Sequence, residues 1–255
     1  MKFYDCKTAP SPRRVRVFMA EKNISIETIQ VDLATGEQFS DAYKAITPLS
    51  EVPLLVLDDG TTISQVNAIC QYLEDIYPQN PLYGRTPLER AQVESANSQI
   101  HMNGFMAVAE AFRNATPGLK NRAMPGPHDY AQIPELAERG LLRLDHFFAS
   151  LEQHLADSQF IVGDYFSIAD ISAMICIDFA KWVKKPIPEK LKEQMEIFKN
   201  GSLECLYKTT HIYFMFQTAL GFNFINKPKV FDYDKTVKIP TLDAIQRIKD
   251  KHNLG

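Results

Sequence analysis

The first 65 residues contain four short runs whose hydrophobic pattern predicts β-strands. Residues 2–6 are aromatic and bounded by polar positions, and residues 26–31 alternate between apolar and polar side chains. Residues 53–57 form an apolar run headed by a proline, which is typical of a buried strand. The Asp-Asp-Gly at 58–60 is a hairpin signal that leads into a fourth strand at 61–63.

Two helices are predicted to complete this unit. Ser11 and Pro12 form a helix start, because a serine hydroxyl at the N-cap accepts from free backbone N–H groups and proline suits the first helical position. After them apolar residues recur at helical spacing, including Val15 and Phe18, and residues 68–76 form a closing helix. This order of strands and helices predicts a small α/β domain.

A break in the pattern predicts a domain boundary. Residues 77–87 contain three prolines and one glycine and follow no period. We therefore place a linker at 78–86, between a first domain at 1–77 and a second at 87–255.

The second domain is predicted to be all-α. Helical periods occupy 88–114, 132–156 and 168–183, and Ser167 with Asp170 forms a capping box at the start of the last of these helices. From about residue 186 the chain continues as an extension that we do not place. Within it, residues 190–199 and 242–251 have helical patterns.

Composition excludes several classes of protein. The chain has 255 residues, 45% of them hydrophobic, and a net charge of −3, so no excess of positive charge favours nucleic acid. We expect no membrane span and no secretory signal, and hence a cytoplasmic protein. The four cysteines are scattered and the six histidines form no metal-binding pair, so we expect reduced thiols and no metal.

Motifs in the first domain sharpen the prediction. The segment GEQFSDAYKAITPLSEVP at 36–53 resembles the glutathione-contacting loop of the cytosolic, bacterial-type glutathione S-transferase family, which ends in Val-Pro. Residues 59–73 resemble the hairpin and helix that follow it. The resemblance implies a thioredoxin-like α/β domain, an all-α domain and a homodimer. It also implies glutathione and a small hydrophobic electrophile as ligands.

The resemblance also implies which residues bind glutathione. Val52 is expected to pair its backbone with the extended peptide ahead of a cis Pro53, and Gln65 with Val66 begins a helix whose N–H groups favour a carboxylate. The resemblance also implies that basic or polar side chains face the glycine carboxylate where this chain has Gln38 and Phe39, of which only Gln38 can hydrogen-bond, so charge complementarity is lost there. Glu51 adds a negative charge near the same ligand.

The opening of the first helix leaves thiol activation open. A glutathione thiol attacks as the thiolate, which a hydroxyl donor at this helix stabilises. The family pattern places Ser or Cys where the chain has Ala9, so the candidate donors are Ser11, which could equally be only a helix cap, and Thr8. Cys6 lies three residues too early, and we interpret it as a structural thiol.

Two further sets of side chains are candidates near the substrate. Within the first long helix of the second domain, His101 and Phe105 are predicted to face the electrophile, although most of that apolar stripe is core. A cluster of arginines on the first helix is expected to form a solvated face, with one guanidinium turned inward as an ion pair. These arginines are Arg13, Arg14 and Arg16.

The resemblance therefore implies a transferase that joins the glutathione thiolate to an electrophile. Two alternatives remain open: a non-catalytic binding or stress-response protein on the same fold, and a glutathione-dependent isomerase or peroxidase. Fold alone does not separate them.

Overall fold

Four strands form one mixed sheet within the first 64 residues. They are β1 (Lys2–Asp5), β2 (Glu27–Gln30), β3 (Leu54–Val56) and β4 (Thr62–Ser64), in the spatial order β2-β1-β3-β4. β1 runs parallel to β2 and antiparallel to β3, which pairs with β4 through the hairpin at 58–60. The computed structural model describes residues 1–201, with side chains for 1–198, and all of them fall within one compact unit.

Helices account for most of the remaining described residues. α1 and α3 flank the sheet, and a short 3-10 turn at Glu37–Phe39 precedes α2. The helices are α1 (Pro10–Glu21), α2 (Asp41–Lys44), α3 (Val66–Ile76), α4 (Pro87–Ile100), α5 (Met106–Ala115), α6 (Pro134–Leu155), α7 (Ile168–Ala180) and α8 (Glu189–Gly201). The α/β and all-α fold predicted from the sequence is confirmed. The division into domains at 77 and 87 stays a prediction, and so does the role of the extension. The helix expected at 242–251 lies outside the described residues.

The core of the α/β part forms where α1 and α3 cover the sheet. Phe3 of β1 and Leu55 of β3 are fully buried, as are Phe18 of α1 and Ile69 of α3. Phe3 and Leu55 are also direct cross-strand partners. The predicted strand and helix faces therefore meet in one hydrophobic layer.

The start of α1 differs from the prediction. Ala9 is the N-cap, with extended backbone angles and no side-chain cap, and the helix begins at Pro10. Ser11 is thus the second helical residue and not the cap, so its predicted capping role was wrong. Two prolines in the first turn misled the sequence reasoning, because the fixed φ of either suits a helix start and Pro10 takes the first position.

The long helix expected at 88–114 is interrupted. A five-residue π-helix at His101–Phe105 separates α4 from α5. Gly104, in this π-helix, packs closely: a Cβ atom placed there would lie 2.6 Å from Cys176 Sγ and 2.8 Å from Phe147 Cε1. A π-turn widens the helix locally, and such turns are frequent at functional sites.

The capping box of α7 is confirmed. The Ser167 side chain accepts from the backbone of the first turn, and Asp170 accepts from the Ser167 N–H at 2.9 Å and from the Ile161 N–H at 2.8 Å. Burial nevertheless outweighs these donors and raises the pKa of Asp170 to about 6. A second capping box, at Thr86 and Glu89 of α4, was not predicted.

The stretch between α3 and α4 is fixed by a buried ion pair. Lys22, whose side chain has no exposed surface, lies 2.7 Å from Glu74 and donates to the carbonyls of Gln79 and Asn80. Glu74 in turn accepts from the N–H groups of Leu82 and Tyr83. The proline-rich stretch therefore packs on α1 and α3.

Candidate functional site

The sheet brings three segments to one end. Tyr4 pairs with Leu54, and Leu54 pairs with Ser64. The residues that follow β1, precede β3 and follow β4 therefore all leave the sheet at the same end. Val52, Gln65 and the start of α1 lie on these three segments, so topology alone places the main candidates of the sequence analysis together.

Val52 presents backbone groups to a ligand. The Val52–Pro53 peptide bond is cis, as expected. Neither the N–H nor the carbonyl of Val52 makes a backbone hydrogen bond within residues 1–201. An extended peptide can pair with these two groups in the manner of an added strand. Pro53 itself is buried, so its contribution is to the shape of the chain.

Gln65 stands at the start of α3 in a strained conformation. Its φ of 70° lies in the left-handed region, which costs a non-glycine residue of the order of 1–3 kcal/mol. The exposed side chain donates to Glu51 Oε2 at 3.2 Å. Val66 has a buried side chain, so it offers a ligand only its N–H, beside the N–H groups of Asn67 and Ala68 at the helix N-terminus.

The protein segment that is expected to face the glycine end of glutathione carries little charge. Gln38 and Phe39 are half-buried, and Gln38 Oε1 has no hydrogen-bond partner among the described residues. Tyr43 of α2 donates to the Glu51 carbonyl at 2.7 Å and holds this stretch in place. Glu51 is therefore positioned, but it is negative where an anionic ligand would approach.

At the start of α1, Ser11 is the available donor. Pro10 and Pro12 have no N–H, so the Ser11 N–H and hydroxyl are the donors of the first turn. The hydroxyl makes no hydrogen bond within the described part of the chain. Thr8 is exposed and its Oγ1 lies 3.3 Å from Cys6 Sγ, which is buried as expected of a structural thiol.

The arginine cluster on α1 is not the solvated face that the sequence predicted. Arg13 pairs with Asp178 of α7 at 2.9 Å, and Arg16 pairs with buried Asp5. Arg14 is buried, and no carboxylate among residues 1–198 pairs with its guanidinium. Burial lowers the pKa of Arg14 to about 10, so it remains a cation at neutral pH.

Arg14 joins α1 to the π-helix. Its guanidinium carbon lies 4.1 Å from the centre of the Phe105 ring, a cation–π geometry. His101 stacks on the same ring with centroids 6.3 Å apart. Burial, followed by the nearby Arg14 charge, lowers the pKa of His101, so the imidazole is neutral near pH 7. Phe105 is buried beneath Arg14, whereas His101 is half-buried.

An aromatic group extends this surface toward α7. Phe105 and Phe112 both pack on Phe179, and Trp182 lies 5.1 Å from Phe112 between ring centroids. Sequence reasoning missed Phe179 and Trp182, which lie more than 70 positions beyond Phe105. It also missed Arg113, at the end of α5, and Arg122, in the loop that follows, since neither charged residue belongs to an apolar pattern.

The described residues contain no group of three His, Cys, Asp or Glu side chains that could hold a metal ion. None of the helices in the described residues is long and apolar enough to cross a membrane.

A cavity of about 710 Å³ lies between α4 and α6, and its lining includes Gln92, Ser95, His146 and His154. It does not include Val52, Gln65 or Ser11.

Comparison of the sequence with known proteins identifies the family of this chain. Residues 8–76 match the family model "Glutathione S-transferase, N-terminal domain". Glutathione S-transferase 2 of Saccharomyces cerevisiae is 33% identical over 198 residues, which cover 74% of this chain and 80% of that protein. The chain belongs to the glutathione S-transferase family. The resemblance read from residues 36–53 is thereby confirmed.

Solved structures of family members share the fold. The structure of Gtt2 from Saccharomyces cerevisiae has a TM-score of 0.70 at 31% identity and covers 78% of this chain and 96% of its own. The structure of a glutathione S-transferase domain-containing protein from Marinobacter aquaeolei also has a TM-score of 0.70, at 34% identity, and the match covers 77% of this chain and 94% of that one.

Among sequence relatives, a maleylacetoacetate isomerase from Pseudomonas aeruginosa is 29% identical, and the match covers 67% of this chain and 77% of that protein.

Proposed function

We propose that this family member joins the thiolate of glutathione to small apolar electrophiles. The observation that carries the proposal is a free Ser11 hydroxyl at the same end of the sheet as the open backbone of Val52 and the start of α3. A transferase of this type needs a peptide-binding edge, a carboxylate site and a donor for the sulfur, and these three segments offer one each.

Glutathione would bind as an added strand. Its cysteinyl backbone pairs with Val52, and its γ-glutamyl carboxylate lies at Gln65 and the N–H groups of Val66 and Asn67. The Gln65 amide already donates to Glu51, so its side chain has a defined position beside this helix N-terminus. Pro53 shapes the segment, and Gln38 lies toward the glycine end.

Ser11 would hold the sulfur as a thiolate. The hydroxyl and the N–H of Ser11 both donate, and the buried Arg14 cation on the next turn adds positive potential. The thiol proton leaves to solvent. The sulfur lone pair then forms a bond to the electrophilic carbon, and the leaving group departs with its electron pair. The half-buried His101 and the aromatic group beyond it would face the electrophile.

A homodimer and a cytoplasmic location belong to the same proposal. Family membership supports the dimer, and its test is sedimentation velocity, which measures the particle mass against 29.0 kDa for one chain. The location rests on the free thiols of Cys6, Cys70 and Cys176, which suit a reducing compartment and which fractionation of cells would test.

A glutathione-dependent isomerase is the second candidate, favoured by the similarity to maleylacetoacetate isomerase. Both reactions begin with addition of the thiolate to carbon. Conjugation consumes glutathione, whereas isomerisation breaks the new S–C bond and returns the thiol. Thiol titration during turnover therefore separates the two.

The decisive experiment for the donor compares Ser11→Ala with Thr8→Ala. Loss of a hydrogen bond to a charged sulfur is worth about 1.5–3 kcal/mol, so Ser11→Ala should lower kcat/KM with a chloronitrobenzene about 10- to 100-fold. The thiolate absorbance of bound glutathione should fall in parallel at neutral pH. Thr8→Ala serves as the matched control and should change kcat/KM by less than about twofold.

Two results would overturn this assignment. If Ser11→Ala keeps full activity and full thiolate absorbance, Ser11 is not the donor. If the wild-type chain binds glutathione but conjugates and isomerises nothing, the non-catalytic binding protein is the correct alternative.

A further inference from the structure

The connection between α5 and α6, residues 116–133, is an ordered segment of the chain. Arg122 and Tyr130 pair as an isolated β-bridge. Gln132 Nε2 donates at 2.7 Å to the carbonyls of both Arg113 and Thr116. These contacts fix both ends of the connection, so its side chains have defined positions.

This connection lies against the segment that carries Phe39 and Glu51. The Arg122 guanidinium carbon is 4.2 Å from the centre of the Phe39 ring. A Cβ atom placed on Gly126 would lie 3.5 Å from Glu51 Oε1 and 3.8 Å from the Leu49 carbonyl oxygen. The connection therefore contacts the segment, residues 39–51, that leads into the proposed glutathione site at Val52.

The connection brings positive charge to a place where the proposed glutathione site lacks it. Gln38 and Phe39 are uncharged and Glu51 is negative. Arg113 lies within electrostatic range of both Arg122 and Glu51, because burial and then the Arg122 charge lower the pKa of Arg113 and the Glu51 carboxylate raises it. The two arginines therefore bring positive charge close to the stretch that carries Phe39 and Glu51.

Arg122 has guanidinium N–H groups that make no hydrogen bond within the described residues. Of its five N–H groups, three donate to protein oxygens: those of Gly126 at 2.7 Å, Asp129 at 2.9 Å and His128 at 3.3 Å. Its Nε–H and one Nη2–H have no hydrogen-bond partner within the described residues. Asp129 is 75% exposed at its side chain, so a ligand carboxylate can share or replace that contact at small cost.

The orientation proposed for glutathione points its glycine end at this connection. An extended tripeptide spans about 10 Å. With its γ-glutamyl carboxylate at Gln65 and its cysteinyl backbone on Val52, the glycine carboxylate lies past Glu51 toward Phe39. We propose that Arg122 binds the glycine carboxylate of glutathione, and that Arg113 strengthens the positive potential there. This inference rests on the proposed function and names the residue that replaces the missing charge at positions 38 and 39.

The test uses one ligand pair and one variant. Glutathione and its glycinamide analogue, γ-glutamyl-cysteinyl-glycinamide, differ only in the glycine carboxylate. For the wild-type chain, calorimetry should give glutathione an affinity about 10- to 100-fold above that of the glycinamide, the range for a charge-assisted hydrogen bond. Arg122→Gln should remove this preference by weakening glutathione alone.

Two further variants make the outcome specific. Arg122→Lys keeps the charge and should retain part of the preference. Arg90→Gln, on the exposed face of α4, is the matched control and should leave both affinities unchanged. Circular dichroism and thermal melting confirm that each variant is folded.

Each remaining outcome overturns the inference. If Arg122→Gln weakens both ligands equally, Arg122 acts only by holding the connection in place. If it weakens neither, the glycine carboxylate is bound elsewhere. If the wild-type chain binds neither ligand, the proposed function fails together with this inference, which distinguishes that case from the first two.

Discussion

At the start of α1, the chain has Ala9 at the position where the resemblance led us to expect Ser or Cys, and the Ser11 hydroxyl, which makes no hydrogen bond within the described residues, is two positions later. The sequence left open whether Ser11 caps the helix, donates to the sulfur or does both. The structure excludes the capping role, because Pro10 begins the helix and Ala9 is its cap. Ser11 is therefore free of a structural hydrogen bond and remains the leading candidate donor.

Arg14 is buried without the carboxylate partner that the sequence analysis expected. We predicted that one arginine of the cluster would turn inward as an ion pair, because an arginine is rarely fully buried without such a partner. The partner is instead the face of Phe105, across the contact between α1 and the π-helix. Nothing in a single sequence indicates a contact between residues 14 and 105.

Arg14→Met should raise the pKa of His101, because it removes the positive charge that disfavours the imidazolium. The rise should be partial, since burial is the larger cause of the lowered pKa. NMR titration of the histidine ring protons measures it, with Arg90→Met as a control for loss of a remote charge. An unchanged His101 pKa in Arg14→Met would contradict the contact.

The same charge affects stability at low pH. Because the pKa of His101 in the folded protein lies below its unfolded value of about 6.5, protonation of His101 favours unfolding as the pH falls through that range. The free energy of unfolding of Arg14→Met should therefore fall less at low pH than that of the wild-type chain.

At the scale of elements, periodicity predicted the existence of every strand and most helices, with boundaries within a few residues. The interruption at His101–Phe105 was not predicted, because its cause is tertiary. The residues that meet Gly104 are Phe147 of α6 and Cys176 of α7, both distant in sequence. A glycine inside a helical pattern signals close packing only in general terms.

Gly104→Ala should destabilise the fold. An added Cβ at 2.6 Å from Cys176 Sγ forces buried side chains to move, and overpacking of this kind costs about 1–3 kcal/mol in the free energy of unfolding. Denaturant titration measures the loss. Gly118→Ala is the control, since a Cβ atom there meets nothing within 4 Å, and it should change stability by less than about 0.5 kcal/mol. Equal stability of both variants would show that the contact around Gly104 relaxes without cost.

At the scale of the whole molecule, the motifs at 36–53 and 59–73 were sufficient to predict the family and the fold. The charge of the candidate site was not predictable, because it comes from separate parts of the chain. Arg14 lies on α1 and is buried, Arg113 lies on α5, and Arg122 lies on the connection after it, against Phe39. The sequence indicated a site with reduced positive charge, and we propose that these arginines compensate for it.

The central claim is that the chain binds glutathione and stabilises its thiolate. The most direct measurement is calorimetry of glutathione binding to the wild-type chain, repeated in two buffers of different ionisation enthalpy so that released protons are counted. The account predicts saturable binding with release of about one proton per glutathione near neutral pH, because the bound thiol has a lowered pKa. Binding without proton release, or no binding at millimolar glutathione, would contradict it.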